Sequence, residues 1–161
     1  MPGIRETRRL PYSCEEMFDL VADVARYGEF LPWVSAVRVR SDSPTEMVAD
    51  LMVGFKALRE KFTSKVSKAR PASIHVDYLD GPLKYLRNDW AFRPDGKGGS
   101  LVEFSIDFEF KSRLFEMVAG QVFDRTLRTM IGAFETRAKK LYGASGFAAS
   151  GISSSSAQSA A

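Results

Sequence analysis

The sequence predicts an α+β domain in which a curved antiparallel sheet of about seven strands wraps a long C-terminal helix, with two short helices after the first strand. Three observations carry this expectation. From Val34 onward, apolar residues recur with a period of two over about 75 residues, the spacing of strands with one wet and one dry face. Over residues 112–142 they recur every three or four positions, which is one face of a helix. Ahead of both, a strand-like stretch is followed by a helix-capping signature.

Residues 3–10 mix Ile4, Thr7 and Leu10 with Arg5, Arg8 and Arg9, a first strand with one exposed face that stops at Pro11. Ser13 and Glu16 form a capping box, the hydroxyl accepting from an orphan backbone N–H while the carboxylate reaches back to the cap. Met17, Phe18, Leu20, Val21 and Val24 then follow at helical spacing. A second helical turn spans residues 25–30 and ends before Pro32, which disfavours helix at Leu31.

In the sheet, Met47, Ala49, Leu51, Val53 and Phe55 oppose Val48, Asp50 and Met52, and Leu58, Phe62 and Val66 oppose Arg59, Lys61, Thr63 and Lys65. Ile74, Val76 and Tyr78 oppose Ser73, His75 and Asp77 in the same way. The clearest alternation lies in LVEFSIDFEF, where Val102, Phe104, Ile106, Phe108 and Phe110 share the dry face and Glu103, Ser105, Asp107 and Glu109 the wet one. Residues 83–93 pair with it across PDGKGG. The Gly, Pro, Asp and Ser of SDSPTE, RPAS and DGP mark the other reversals of a meander.

The last helix is about 45 Å long at 1.5 Å per residue. Phe115, Ala119, Phe123, Leu127, Met130, Phe134, Ala138 and Leu141 form its apolar stripe, and Gly143 suits its C-terminal end. Gly120 and Gly132 each cost about 1 kcal/mol relative to Ala, which points to bulk admitted from elsewhere or to a bend. Residues 144–161 are Ser, Ala and Gly with almost no charge, the composition of a disordered tail, so the folded domain is expected over residues 1–143.

Composition narrows the function classes. Twenty-three basic against 20 acidic residues make a mixed surface of net charge +3, compatible with anionic lipid or RNA without requiring either. One cysteine, Cys14, excludes an intrachain disulfide, and one histidine, His75, removes most metal-site patterns. The N-terminus has no signal-peptide apolar run, and no stretch approaches the roughly 20 apolar residues of a membrane span. The expected location is the cytoplasm, with any membrane contact peripheral.

Only the long helix is available to cover the dry face, and a twisted sheet does not close flush on one straight cylinder. The gap is either filled by Phe and Met side chains or holds a ligand. Four segments, YGEFLPW at 27–33, GFKALREKFTS at 54–64, LDGPLK at 79–84 and DFEF at 107–110, resemble the coenzyme Q-binding protein family in order and across residues 3–142. The resemblance implies a START-like helix-grip fold with a tunnel between sheet and helix. It further implies non-catalytic binding of ubiquinone, as a quinone chaperone or carrier supporting respiratory electron transfer and quinone biosynthesis. Ubiquinone is then a bound ligand, and no cofactor is required. A bacterial branch of the same relatives consists of ribosome-association toxins, which implies the large ribosomal subunit as the alternative partner. A polyketide-cyclase-like enzyme is a third reading, by fold analogy alone.

The expected ligand-binding residues follow from parity and position. Tyr27, Phe30, Leu31, Pro32 and Trp33 form a lip at the tunnel mouth or a plug at the helix-to-strand crossing. Glu60, Ser64 and Asn88 share inward parity and are the polar groups placed to meet a quinone head, unless Glu60 pairs with an edge arginine. Phe55, Phe62, Trp90, Phe104 and Phe108 supply the strand wall, and Phe115, Val118, Ala119 and Phe123 the helix wall. Arg38, Arg40, Lys56, Arg59, Lys61, Lys65 and Lys68 make a basic outer face, for phospholipid or RNA or simply solvated. No catalytic residue is expected: His75, Asp107 and Glu109 fall on the wet face, and Cys14 has no histidine near it in sequence.

Overall fold

In the computed structural model the described residues are 3–55 and 58–143, with the side chains of Phe55, Leu58, Val122 and Phe123 outside that description. The expected tail at 144–161 also lies outside it. Strand β1 (Gly3–Leu10) leads into helix α1 (Cys14–Ala22) and a short 3-10 helix (Val24–Glu29). Six strands follow: β2 (Val34–Asp42), β3 (Glu46–Phe55), β4 (Leu58–Ala69), β5 (Ser73–Asp80), β6 (Leu83–Pro94) and β7 (Ser100–Phe110). Helices α2 (Arg113–Arg128) and α3 (Met130–Tyr142) complete the chain. All strand pairs are antiparallel, in the order β1-β7-β6-β5-β4-β3-β2. The chain therefore runs from one edge of the sheet to the other through α1 and the 3-10 helix, then meanders back.

Local chemistry explains the element ends. The Glu16 N–H donates to Ser13 Oγ at 3.0 Å and the Ser13 N–H to Glu16 Oε1 at 2.9 Å, completing the capping box of α1. Between β5 and β6, Gly81 has φ +148°, and a Cβ there would meet the Tyr78 hydroxyl at 2.6 Å and the Lys61 carbonyl at 2.9 Å. That hydroxyl accepts from the Leu83 N–H at 2.8 Å, so the turn closes over a position only glycine fills.

The expected single C-terminal helix is two. Thr129, with φ −97° and ψ −3°, separates α2 from α3. The Thr129 hydroxyl donates to the Thr126 carbonyl at 3.0 Å, and the Thr129 N–H bonds the same carbonyl at 3.2 Å. These three-residue bonds replace the four-residue ladder at Thr129 and interrupt the helix there. The interruption therefore falls at neither glycine. At Gly120 a Cβ would stand 3.5 Å from Glu116 Cγ and 3.9 Å from the Phe110 ring, both ordinary contacts, so neighbouring bulk does not demand glycine there.

The core is one layer of aromatic and aliphatic side chains between sheet and helices. At its centre Phe134 lies 5.0 Å from Trp90, 5.2 Å from Phe30 and 5.3 Å from Tyr27, ring centre to ring centre, each edge-on. Beyond it the Tyr142 hydroxyl donates to the Glu16 carbonyl at 3.1 Å, tying the end of α3 to α1. Arg8 on β1 pairs with Glu135 on α3 at 2.7 Å, fastening the edge strand. Helix α3 buries Ile131, Phe134, Arg137 and Ala138, whereas α2 touches little beyond the end of β7 and the start of α3.

Candidate functional site

Between the sheet and the break in the C-terminal helix lies a cavity of about 130 Å³. Its wall is built by alternation: Ala49, Leu51 and Val53 from β3, Phe62, Ser64 and Val66 from β4, Ile74 and Val76 from β5. Leu86, Asn88 and Trp90 continue it on β6 and Ile106 on β7. Thr126 and Leu127 of α2 and Met130 and Phe134 of α3 form the roof, so the helix break lies directly over the site. Val21, Val24, Tyr27 and Trp33 close one end.

Few polar atoms interrupt this wall. The Trp90 Nε1–H donates to Asn88 Oδ1 at 3.1 Å, and Asn88 Nδ2 donates to the Ser105 carbonyl at 2.9 Å. The Tyr27 hydroxyl donates to the Val21 carbonyl, and burial pushes its pKa up, which keeps the phenol neutral. The hydroxyls of Ser64 and Thr126 have no side-chain partner among the described residues. Among those residues the wall carries no ionisable group besides that phenol. The arrangement supplies shape, a dry surface and a few hydrogen bonds.

The structure brings Tyr27, Trp33, Phe62, Ser64, Asn88 and Trp90 together on the cavity wall. Other expected residues stand elsewhere. Phe30 packs on Phe134 and under the Arg137 guanidinium, 5.1 Å from its ring centre, and Leu31 is buried behind it. Pro32 is exposed. Phe104 and Phe108 have inward parity, but neighbouring rings cover them: Phe104 lies 4.7 Å from Trp90 and Phe108 5.6 Å from Phe110. Glu60 is half-buried near the start of β4, opposite Val53, and does not line the cavity.

Val118 is a correction: it is 61% exposed, because α2 turns Ala119 rather than Val118 toward the sheet. Phe115 packs on Phe110 at 5.5 Å, and Ala119 is buried without reaching the cavity. Phe55 and Phe123 fall on side chains outside those described. Sequence reading missed the roof residues Thr126 and Met130 and the end-wall residues Val21 and Val24. The three- and four-residue stripe already contained Met130 and Leu127, which line the cavity from either side of the break at Thr129.

Away from the cavity, part of the basic face is paired. Arg40 bonds Asp50 at 2.9 Å, Lys65 bonds Glu46 at 3.2 Å and Lys68 bonds Asp42 at 2.7 Å. His75 bridges Asp89 at 2.5 Å and Asp77 at 3.0 Å on the outer face. Burial, ahead of the nearby Glu15 and Asp95 charges, pushes the Cys14 thiol pKa up.

Comparison with known proteins places this geometry. The family described as polyketide cyclase / dehydrase and lipid transport matches residues 10–135. Ribosome association toxin RatA of Escherichia coli is 37% identical over 144 residues, covering 89% of this chain and 91% of that protein. The Coenzyme Q-binding protein COQ10, mitochondrial, of Drosophila melanogaster is 38% identical over 127 residues, covering 76% of this chain and 52% of that protein. The solution structure of the 18 kDa protein CC1736 from Caulobacter crescentus superposes with a TM-score of 0.69 at 40% identity, covering 89% of this chain and 100% of that one. With a seven-stranded antiparallel sheet gripping C-terminal helices around an apolar cavity, this chain belongs to the polyketide cyclase / dehydrase and lipid transport family.

Proposed function

We propose that this protein is a non-catalytic carrier of a polyprenyl quinone of the ubiquinone type, with the ring in the cavity and the isoprenoid tail leaving along α2. The observation that carries the reading is the wall itself: aliphatic and aromatic side chains from five strands, with the Ser64 and Thr126 hydroxyls among its few polar groups. A quinone ring is flat, apolar on both faces and bears two carbonyl acceptors, so a dry slot with a few hydroxyl donors suits it. Apolar cavities near 150 Å³ hold benzene, so a cavity of about 130 Å³ must widen to admit a substituted quinone ring. The tail must therefore lie outside it, where burial at about 25 cal/mol per Å² supplies the affinity. The likeness to the coenzyme Q-binding relative supports the ligand class.

A second reading, association with the ribosome, draws support from the likeness to the RatA toxin across nearly the whole of both chains. One set of measurements tests both. Native extraction followed by mass spectrometry is expected to return a polyprenyl quinone from the unaltered protein and about tenfold less from Leu51→Trp and Val76→Phe, which fill the cavity. Repeated extraction without quinone or other lipid, combined with salt-sensitive co-sedimentation with the large ribosomal subunit, would reverse the order of the two readings.

A further inference from the structure

Helix α2 is amphipathic in the wrong sense for its outer side. Ala119 and Leu127 are buried toward the sheet, while Leu114, Met117 and Val118 are 71, 77 and 61% exposed on the opposite face. Gln121, Arg125 and Arg128 continue that face at three- and four-residue steps, all exposed. The outward stripe is therefore apolar in its first half and cationic in its second. Lys111 and Arg113 flank the apolar end, against Glu116 and an Asp124 already bonded to Arg128 at 2.9 Å. From residue 111 to 128 four cations thus stand against two carboxylates. At the same end of the sheet Leu79 is 54% exposed, where β5 turns into β6.

Three adjacent large apolar side chains left in water are unusual for an element whose other face is already buried. Their surroundings select the partner. A protein groove would favour apolar residues along the whole stripe. A bilayer surface favours an apolar segment to enter the acyl boundary and arginines to remain at the anionic headgroups, and this is the order along α2. The same helix roofs the cavity through Thr126 and Leu127, so a docked α2 sets the cavity against the membrane.

We infer that the outward face of α2 is a docking element for anionic lipid bilayers, inserting Leu114, Met117 and Val118 and setting Arg125 among the headgroups. This rests on the carrier reading for its purpose, though not for its test. An apolar ligand then passes between bilayer and cavity without crossing water, and the docked helix is the one nearest to opening.

The test is flotation of the full chain with vesicles of phosphatidylcholine alone and of phosphatidylcholine with phosphatidylglycerol. The unaltered protein is expected to float with the anionic vesicles, less so at high salt. Replacing Leu114, Met117 and Val118 together by Gln, a good helix former, lowers the partition coefficient at least ~30-fold, as expected from the apolar area withdrawn. Arg125→Gln with Lys111→Gln lowers it about fivefold per charge on anionic vesicles and leaves neutral ones unaffected. This second variant also keeps the question open to refutation if the first fails to fold. No flotation of the unaltered protein, or equal flotation of the triple variant, overturns the inference. So does a dimer in sedimentation velocity that the triple variant dissociates without any vesicle binding, which would make the face a contact between copies. A triple variant that still yields quinone on extraction leaves the carrier reading intact, whereas loss of quinone from the cavity-filling variants with flotation unchanged bears on the cavity alone.

Discussion

Asp50 faces the outer side of β3 by alternation, yet it is only 1% exposed. Thr63 on β4 donates to Asp50 Oδ1 at 2.7 Å and Arg40 Nε to Oδ2 at 2.9 Å, so neighbours on both sides cover the carboxylate. The hydrogen bond from Thr63 leads in holding its pKa below the ordinary value, against the opposing effect of burial. His75 is the more accessible titration. Its hydrogen bond to Asp89 is the first cause raising its pKa above the ordinary 6.5. A group whose folded pKa is raised stabilises fully below its unfolded pKa and loses that contribution as pH rises through the folded value. The excess Tm of the unaltered protein over His75→Gln is therefore expected to be greater at pH 6 than at pH 8.5. Equal differences at both pH values would show that the two aspartates do not favour the imidazolium.

At the scale of elements, the contrast between α2 and α3 follows from what each buries. Both continue one heptad-like stripe, and Ser112 caps α2 through the Phe115 N–H at 3.1 Å. Yet α3 packs Phe134 into three rings, while α2 leaves Leu114, Met117 and Val118 exposed to solvent. Local opening is governed by such packing rather than by helix propensity. Amides of α2 are therefore expected to exchange with deuterium at least ~10-fold faster than those of α3 in the middle of each helix. Equal protection would mean that the two helices open as one unit despite the break at Thr129.

For the whole molecule, Phe134 joins the layers: it touches the 3-10 helix through Tyr27 and Phe30, the sheet through Trp90, and the cavity through its own face. Phe134→Ala is expected to cost about 3–5 kcal/mol in urea unfolding and to enlarge the cavity. A loss under 1 kcal/mol would mean that the layers do not depend on this contact. The cavity itself reflects geometry at this scale. Seven twisted strands cannot meet a straight helix along its length, and the ends of both helices on either side of Thr129 lie over the remaining gap.

The sequence by itself determined the seven strands, their wet and dry faces, the capping box at Ser13 and the helical character of residues 112–142, because these depend on periodicity and on bonds between near neighbours. It also placed Phe62, Ser64, Asn88 and Trp90 on the side where the cavity lies. Parity states which face a side chain is on, however, and not what else is on that face with it. Phe104 and Phe108 share the parity of Ile106, and only Ile106 reaches the cavity, because rings from neighbouring positions cover the other two. A helical stripe likewise leaves a rotation of tens of degrees undecided. The tertiary structure settled it by seating Ala119 against the sheet, which turned Val118 to solvent beside Leu114 and Met117 and made the first half of the outer face of α2 apolar.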